Sequence, residues 1–274
     1  MVCFPNAKIN IGLYILDERS DGYHNIETIF YPAGLTDILE LVEDKSLKRG
    51  TCELKITGLN LPDSTEENLV IKVYKLLNRR MNLPAVRAHL HKIIPPGSGL
   101  GGGSSDAAFM LLLLNKNFGL GLDPGEMEEI VSEIGSDCSF FIRNEPVFAF
   151  EKGNRFRQVN LNLGGYFLLI VIPDLHINTR DAYAMISPAK KALPLLDMVK
   201  QPPETWKEKV TNDFEKSAFI KFPEISQLKE SIYHLGAVYA SMSGSGSAVY
   251  GLFREPPQTA EIFSNYFCWQ GKLA

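Results

Sequence analysis

Pro95-Pro96-Gly97-Ser98-Gly99-Leu100-Gly101-Gly102-Gly103-Ser104-Ser105-Asp106-Ala107-Ala108 is the stretch on which the reading of this chain turns. The two prolines stop the strand-like run Val86 to Ile94, and five glycines in the seven residues 97–103 open backbone conformations closed to residues with a Cβ. Ala107 to Leu114 then reads as helix, with Ser104, Ser105 and Asp106 as candidate N-caps. A strand, a glycine turn and a helix start leave unpaired amides, and the positive end of the helix dipole, facing whatever the turn encloses. That arrangement suits a phosphate. A flexible linker would not run at once into an apolar helix.

The spacing fits neither common class of phosphate loop. Gly97, Gly99 and Gly102 satisfy G-x-G-x-x-G, but residues 124–134 look helical where a dinucleotide fold needs a strand ending in an acidic residue. No lysine precedes Ser104 or Ser105 as in a Walker A loop, and no H-R-D or D-F-G set of a protein kinase is present.

Working outward, the chain has 274 residues, enough for one large or two modest domains at about 150 residues each. Hydrophobic residues make up 45% and charged residues 22%, ordinary values for a soluble globular protein. A net charge of -4 leaves no electrostatic footprint for duplex nucleic acid, so a nucleotide partner is expected to be a small molecule rather than a nucleic acid polymer. Apolar runs such as Phe167 to Ile172 are too short to span a bilayer, and the N-terminus lacks a charged segment followed by an apolar one. A cytoplasmic protein with no membrane partner is expected. Cys3, Cys52, Cys138 and Cys268 form no C-x-x-C pair, which points to reduced, mostly buried thiols rather than zinc or disulfides.

From Ala7 to Leu16 the residues alternate, with Ile9, Ile11, Leu13 and Ile15 on one face and Lys8, Asn10, Gly12 and Tyr14 on the other. This predicts a half-buried strand whose less apolar face carries Lys8 and Asn10 side by side, as a ligand contact or as an ordinary solvated face. Arg19-Ser20-Asp21-Gly22 is turn chemistry, and Tyr23 to Tyr31 resumes the alternation as a hairpin. Tyr23, His24 and Phe30 could stack on a base or pack in the core. Further strands are expected at Asp37 to Val42 and Thr51 to Thr57, and a helix over Asn68 to Met81. His89 and His91 share a strand face and read as structural.

Pro124 to Ile134 reads as an acidic helix, followed by the polar break Gly135-Ser136-Asp137-Cys138, in which Asp137 would by itself be an unremarkable turn residue. Phe148 to Phe150, Phe156 and Tyr166 to Pro173 read as strands, and a helix is entered through Thr179, whose hydroxyl could cap it. Lys190 to Pro203 is a connection with little pattern. Glu204 to Leu235 reads as mostly helical with a break near Pro223, and contains Asn212-Asp213-Phe214-Glu215. Gly236 to Phe253 is a hairpin around the small-residue loop Ser243-Gly244-Ser245-Gly246-Ser247, and Glu261 to Phe267 suggests a final helix.

Taken together and in this order, the lysine strand, the P-x-G-x-G-L-G-G-G-S-S loop at Pro96 to Ser105 and the loop Ser243 to Ser247 resemble the GHMP kinases over nearly the whole chain. Within that superfamily, Pro5-Asn6-Ala7-Lys8-Ile9-Asn10-Ile11, Asp21-Gly22-Tyr23-His24, Gly135-Ser136-Asp137 and Asn212-Asp213-Phe214-Glu215 look like the branch that acts on a cytidine diphosphate-linked methylerythritol in non-mevalonate isoprenoid synthesis.

The resemblance implies an α+β fold: a ribosomal-protein-S5-like N-terminal domain over residues 1–155, a ferredoxin-like C-terminal domain over residues 156–274, and the active site between them. It implies ATP-dependent phosphorylation of the substrate's 2-hydroxyl, with Mg²⁺. Lys8 and Asp137 match the family's catalytic pair; Tyr23, His24, Phe30 and Tyr183 match the positions that hold cytosine; Asn10 and Thr179 match residues lining the substrate pocket. Pro96, Gly97, Ser98, Gly99, Leu100, Gly101, Gly102, Gly103, Ser104 and Ser105 would hold the ATP phosphates, with Ser104 a contact for Mg²⁺. A monomer or weak homodimer is expected. Cys138-Ser139 stands where the family often has Val-Pro, and Glu18-Arg19 where it often has two basic residues. A mevalonate or homoserine kinase would share the glycine loop without needing the aromatic trio. An RNA-binding module is disfavoured by the acidic net charge, and a silent nucleotide sensor by the presence of both Lys8 and Asp137.

Overall fold

The computed structural model describes residues 1–59, 68–184, 186, 188, 191, 193–259 and 262–273. In chain order the strands are β1 (Val2–Cys3), β2 (Asn6–Glu18), β3 (His24–Thr36), β4 (Ile38–Glu43), β5 (Cys52–Gly58), β6 (Val86–Lys92), β7 (Val147–Phe150), β8 (Arg155–Gln158), β9 (Phe167–Ile172), β10 (Tyr239–Met242), β11 (Val249–Phe253) and β12 (Phe267–Lys272). The helices are α1 (Leu69–Met81), α2 (Gly102–Phe118), α3 (Pro124–Ser132), α4 (Phe140–Arg143), α5 (Thr179–Ala184), α6 (Leu195–Met198), α7 (Phe214–Lys221) and α8 (Pro223–His234). Two compact units interleave along the sequence: residues 1–7, 36–96 and 101–144 form one, and residues 8–35, 97–100 and 145–274 the other.

The first unit holds the sheet β1-β4-β6-β5, antiparallel except for the parallel pair β5 and β6. A parallel pair needs a crossover, and α1 lies within it. Asn68 starts that helix by accepting the Val70 N–H at 2.9 Å, and Val70, Val73, Tyr74 and Leu77 bury its apolar face. α3 starts with a reciprocal capping box between Asp123 and Glu126. His89 and His91 both meet the Thr57 hydroxyl, at 2.8 and 3.0 Å.

The second unit contains two four-stranded sheets, β2-β3-β7-β8 and β10-β11-β9-β12. The N-terminal hairpin belongs with the C-terminal residues because its backbone bonds to them: the Leu13 N–H donates to Thr211 O at 2.9 Å, and Leu13 O accepts from Asp213 at 2.8 Å. Leu13, Ile15, Leu169, Val171, Phe214, Ile225, Ile232, Val249 and Phe253 share one buried cluster. Trp206 is fully buried against Tyr239, edge to face.

Five expectations are corrected. Helix α2 begins at Gly102 rather than Ala107, and its N-cap is Gly101 in the left-handed region rather than Ser104, Ser105 or Asp106, which lie inside the helix. A glycine with φ 72° lets the chain turn straight into the helix. The strand β2 is buried on both faces, Lys8, Asn10 and Tyr14 included: α6 and the segment Lys209 to Val210 cover Gly12 and Tyr14, where a Cβ on Gly12 would lie 2.6 Å from Leu195 and the Tyr14 hydroxyl donates to Lys209 O, while Phe30 lies against Lys8 and Ser243 against Asn10. From Glu204 the chain forms only a short 3-10 turn, Pro203–Thr205, and α-helix begins at Phe214, since the Asn212 side chain competes with helical pairing: its Oδ1 accepts the Phe214 N–H and its Nδ2 donates to Met242 O and Gly244 O. Residues 262–266 form turns and a bend, and Phe267–Lys272 is a strand on β9; Glu261 lies outside the described residues. Of the cysteines only Cys138 is buried, and Cys268 is exposed because it sits on an edge strand. Parts of the Lys190 to Pro203 connection also lie outside the described residues, and α6 falls within it. Among the described residues no helix is long and apolar enough to cross a membrane.

Candidate active site

Lys8 is 3% exposed, and its Nζ donates to Asn10 Oδ1 at 2.5 Å and lies 4.7 Å from the centre of the Phe30 ring. The period of β2 places Lys8 and Asn10 side by side, and three further bonds fix Asn10. Its Nδ2 donates to Thr28 Oγ1 at 3.0 Å, its N–H donates to Ser243 Oγ at 3.2 Å, and its carbonyl accepts the Tyr250 hydroxyl at 2.8 Å. Thr28 passes the chain on to Gly12 O at 2.5 Å. A buried polar network satisfied in this way has one arrangement, so the ammonium of Lys8 is held in place before any ligand arrives.

The same unit brings residues 97–100 of the glycine loop against the small-residue loop. Ser243 Oγ donates to Gly99 O at 2.9 Å, and the Ala248 N–H donates to Ser98 O at 3.0 Å. Gly99 has φ +82°, and a Cβ there would stand 2.0 Å from Ser243 O. No side chain can be accommodated. Gly99→Ala is therefore expected to lower stability by about 1–3 kcal/mol from backbone strain alone, read by thermal unfolding. Unchanged unfolding would refute the packing described.

In the first unit, α2 opens with amides that have no intrahelical acceptor, and Gly101 has no side chain to cap them. Ser105 Oγ is buried with no hydrogen-bond partner among the described residues. Open amides and an orphaned hydroxyl at a helix start fit an anionic group such as a phosphate. Asp137 is half-buried in the turn between α3 and α4, where the Ser136 hydroxyl donates to its Oδ1 at 3.2 Å. The next residue, Cys138, is buried, and burial pushes its thiol up to about 12 while a hydrogen bond with Ser104 opposes that shift. Cys138 thus stays a neutral thiol that joins the Asp137 turn to the first turn of α2.

The aromatic residues lie in the second unit. His24 and Tyr183 stack with ring centres 4.9 Å apart and planes 19° from parallel, and Tyr183 meets Phe214 edge-on. Tyr23 is 61% exposed at the end of the Asp21 turn, with Lys152 Nζ 4.2 Å from its ring centre. Phe30 is buried beside Lys8 and Phe156. Thr179 begins α5, and its hydroxyl meets Ser245 Oγ at 3.0 Å.

Two family descriptions match the chain: "GHMP kinases N terminal domain" over residues 68–145 and "GHMP kinases C terminal" over residues 192–269. A protein of Parabacteroides distasonis named 4-diphosphocytidyl-2-C-methyl-D-erythritol kinase is 49% identical over 100% of both chains. The chain belongs to the GHMP kinase family. A protein of the same name from Bacteroides thetaiotaomicron is 48% identical over 100% of both chains. The crystal structure of a 4-(cytidine 5'-diphospho)-2C-methyl-D-erythritol kinase superposes with a TM-score of 0.85 at 30% identity, covering 100% of this chain and 99% of that one. As a GHMP kinase, the chain is an ATP-dependent phosphotransferase.

The fold of this GHMP kinase therefore brings Lys8, Asn10, Phe30, His24, Tyr23, Thr179 and Tyr183 into one unit with Gly97 to Leu100. Pro96, Gly101 to Ser105 and Asp137 fall in the other. Thr28 and Tyr250, which hold Asn10, are absent from the reading of the sequence. Thr28 lies two residues from Phe30 on the same strand face, a period-two signal that could have found it. Tyr250 has no local signal, since its partner is 240 residues away.

Proposed function

We propose that this GHMP kinase phosphorylates the 2-hydroxyl of 4-diphosphocytidyl-2-C-methyl-D-erythritol, a step toward isoprenoid precursors, and that it works in the cytoplasm as a monomer or weak homodimer. The choice of acceptor is carried by the His24–Tyr183 stack in a chain of 49% full-length identity to a kinase of that name. Two rings 4.9 Å apart beside the exposed Tyr23 offer flat faces of the kind on which a pyrimidine stacks. Phe30, Asn10 and Thr179 complete the substrate contacts in this reading.

Phosphoryl transfer demands an oriented hydroxyl and stabilisation of charge more than covalent participation. Asp137 accepts the proton of the substrate hydroxyl. Lys8, held by Asn10, stabilises the negative charge that develops on that oxygen. Amides in the stretch Pro96 to Ser105 bind the ATP phosphates, supported by the open start of α2 and the orphaned Ser105 hydroxyl. Mg²⁺, held by the phosphates and the Ser104 hydroxyl, would neutralise phosphate charge when bound.

An ATP-consumption assay with Mg²⁺ tests the reading when 4-diphosphocytidyl-2-C-methyl-D-erythritol, mevalonate and homoserine are offered in parallel. Turnover confined to the cytidine compound is expected. Folded, ATP-binding protein that ignores that compound, or prefers either of the others, would overturn it.

A further inference from the structure

A buried charge cluster stands where the glycine stretch begins and ends. Lys92 is the last residue of β6, is 3% exposed, and donates both to Asp37 Oδ2 and, at 2.8 Å, to Asp106 Oδ2. Asp37, between β3 and β4, is fully buried, and its Oδ1 accepts the N–H groups of Ile93 at 2.6 Å and Ile94 at 2.8 Å. Those two residues lead directly into Pro95 and Pro96. Asp106 lies in the early part of α2, five positions beyond the Gly101 cap. A Cβ on Gly102 would come 3.1 Å from Lys92 Nζ and 2.8 Å from Ile94 Cγ2, so the helix start rests directly on the cluster.

Stability alone is a poor reason for such a group. Apolar residues of similar volume often serve a core as well as a buried ion cluster does. Here one carboxylate oxygen, Asp106 Oδ1, is also buried without a hydrogen-bond partner among the described residues. What the cluster supplies is geometry: it ties the strand end, the chain entering the loop and the helix leaving it to one ammonium.

We infer that Asp37, Lys92 and Asp106 are positioning residues for the nucleotide phosphates, fixing the start of α2 so that the amides of Gly102 to Ser104 are aligned before ATP binds. The inference rests on the reading of Pro96 to Ser105 as the phosphate loop. None of the three residues need touch ATP.

The test compares wild type, Asp106→Asn and Asp106→Ala by thermal unfolding, ADP titration calorimetry and steady-state kinetics in which ATP and acceptor are varied separately. Asparagine keeps the shape and one acceptor for Lys92; alanine removes both. The KM for ATP and the ADP dissociation constant are expected to rise in the order wild type, asparagine, alanine, reaching about tenfold to a hundredfold for alanine. The KM for the acceptor should stay within about twofold, since misalignment is confined to the phosphate loop. A purely structural cluster would lower the unfolding temperature in the same order while leaving both KM values unchanged or moving them together, and that result overturns the inference. If the alanine variant does not fold, the asparagine variant decides by the same split between the two KM values. Absence of nucleotide binding by the wild type would instead overturn the phosphate-loop reading on which the inference rests.

Discussion

Asp137→Asn is expected to lower kcat about a thousandfold while the KM for ATP changes less than about twofold. Asparagine has the shape of aspartate and keeps an acceptor for the Ser136 hydroxyl, which now meets Oδ1 at 3.2 Å. The turn between α3 and α4 is therefore retained, and with it the Cys138 contact to Ser104. Lost is the proposed ability to take a proton from the acceptor hydroxyl, a contribution made only as the reaction proceeds. Such a loss falls on kcat rather than on ground-state binding. A coupled assay for ADP release measures kcat, and calorimetry confirms that ADP still binds. A variant within tenfold of wild-type kcat would remove Asp137 from the role of base.

The second large effect lies far from the proposed base in sequence. Glu215→Ala is expected to destabilise the protein by about 3–5 kcal/mol. Glu215 is 7% exposed, and its carboxylate is the meeting point of three donors: the Met242 N–H at 2.9 Å and the Ser241 hydroxyl at 3.0 Å on Oε1, and Lys229 Nζ at 2.7 Å on Oε2. Alanine abandons all of them in a buried place and leaves the lysine charge without its carboxylate. Removing one partner of a buried pair costs far more than the pair contributes in net terms. Denaturant unfolding followed by circular dichroism measures the loss. A change below about 1 kcal/mol would show the contacts to be worth no more than a surface pair. Since Met242 immediately precedes the Ser243 to Ser247 loop, the folded remainder should also show weaker ATP affinity.

Much of this architecture is legible locally. The alternation from Ala7 to Leu16 marks β2, the prolines and glycines at residues 95–103 mark the end of one element and the start of another, and Asn68 with its 3.6-residue apolar spacing marks α1. These signals succeed because strand period, φ restriction and capping act within a few residues of the side chain concerned. Errors arise where a distant partner overrides a local preference. The segment 262–267 has helical composition, yet β9 offers an open edge whose ladder with Phe267 to Lys272 outweighs it. The run Glu204 to Leu235 reads as mostly helical, yet α-helix starts only after Asn212, whose side chain reaches thirty residues ahead to Met242 O and thirty-two to Gly244 O.

The candidate site divides in the same way. Lys8 and Asn10 are marked by the strand period, Tyr23 and His24 by their rings after a turn, and the glycine loop by its spacing, whereas Asp137 reads as an ordinary turn residue until the resemblance to the GHMP kinases gives it a role. Sequence by itself determined the family and most of the elements up to Ile172, and it named the groups proposed to do the chemistry. Tertiary structure alone decided that the Lys8 face of β2 is buried, that Gly101 caps α2 with no side chain in the way of an anion, and that Glu215 holds a strand of another element. It also placed Lys92 between Asp37 and Asp106, 55 and 14 residues away along the chain. Burial and pairing of that kind depend on which surfaces come together after the elements form, and an isolated stretch of sequence carries no record of its future neighbours.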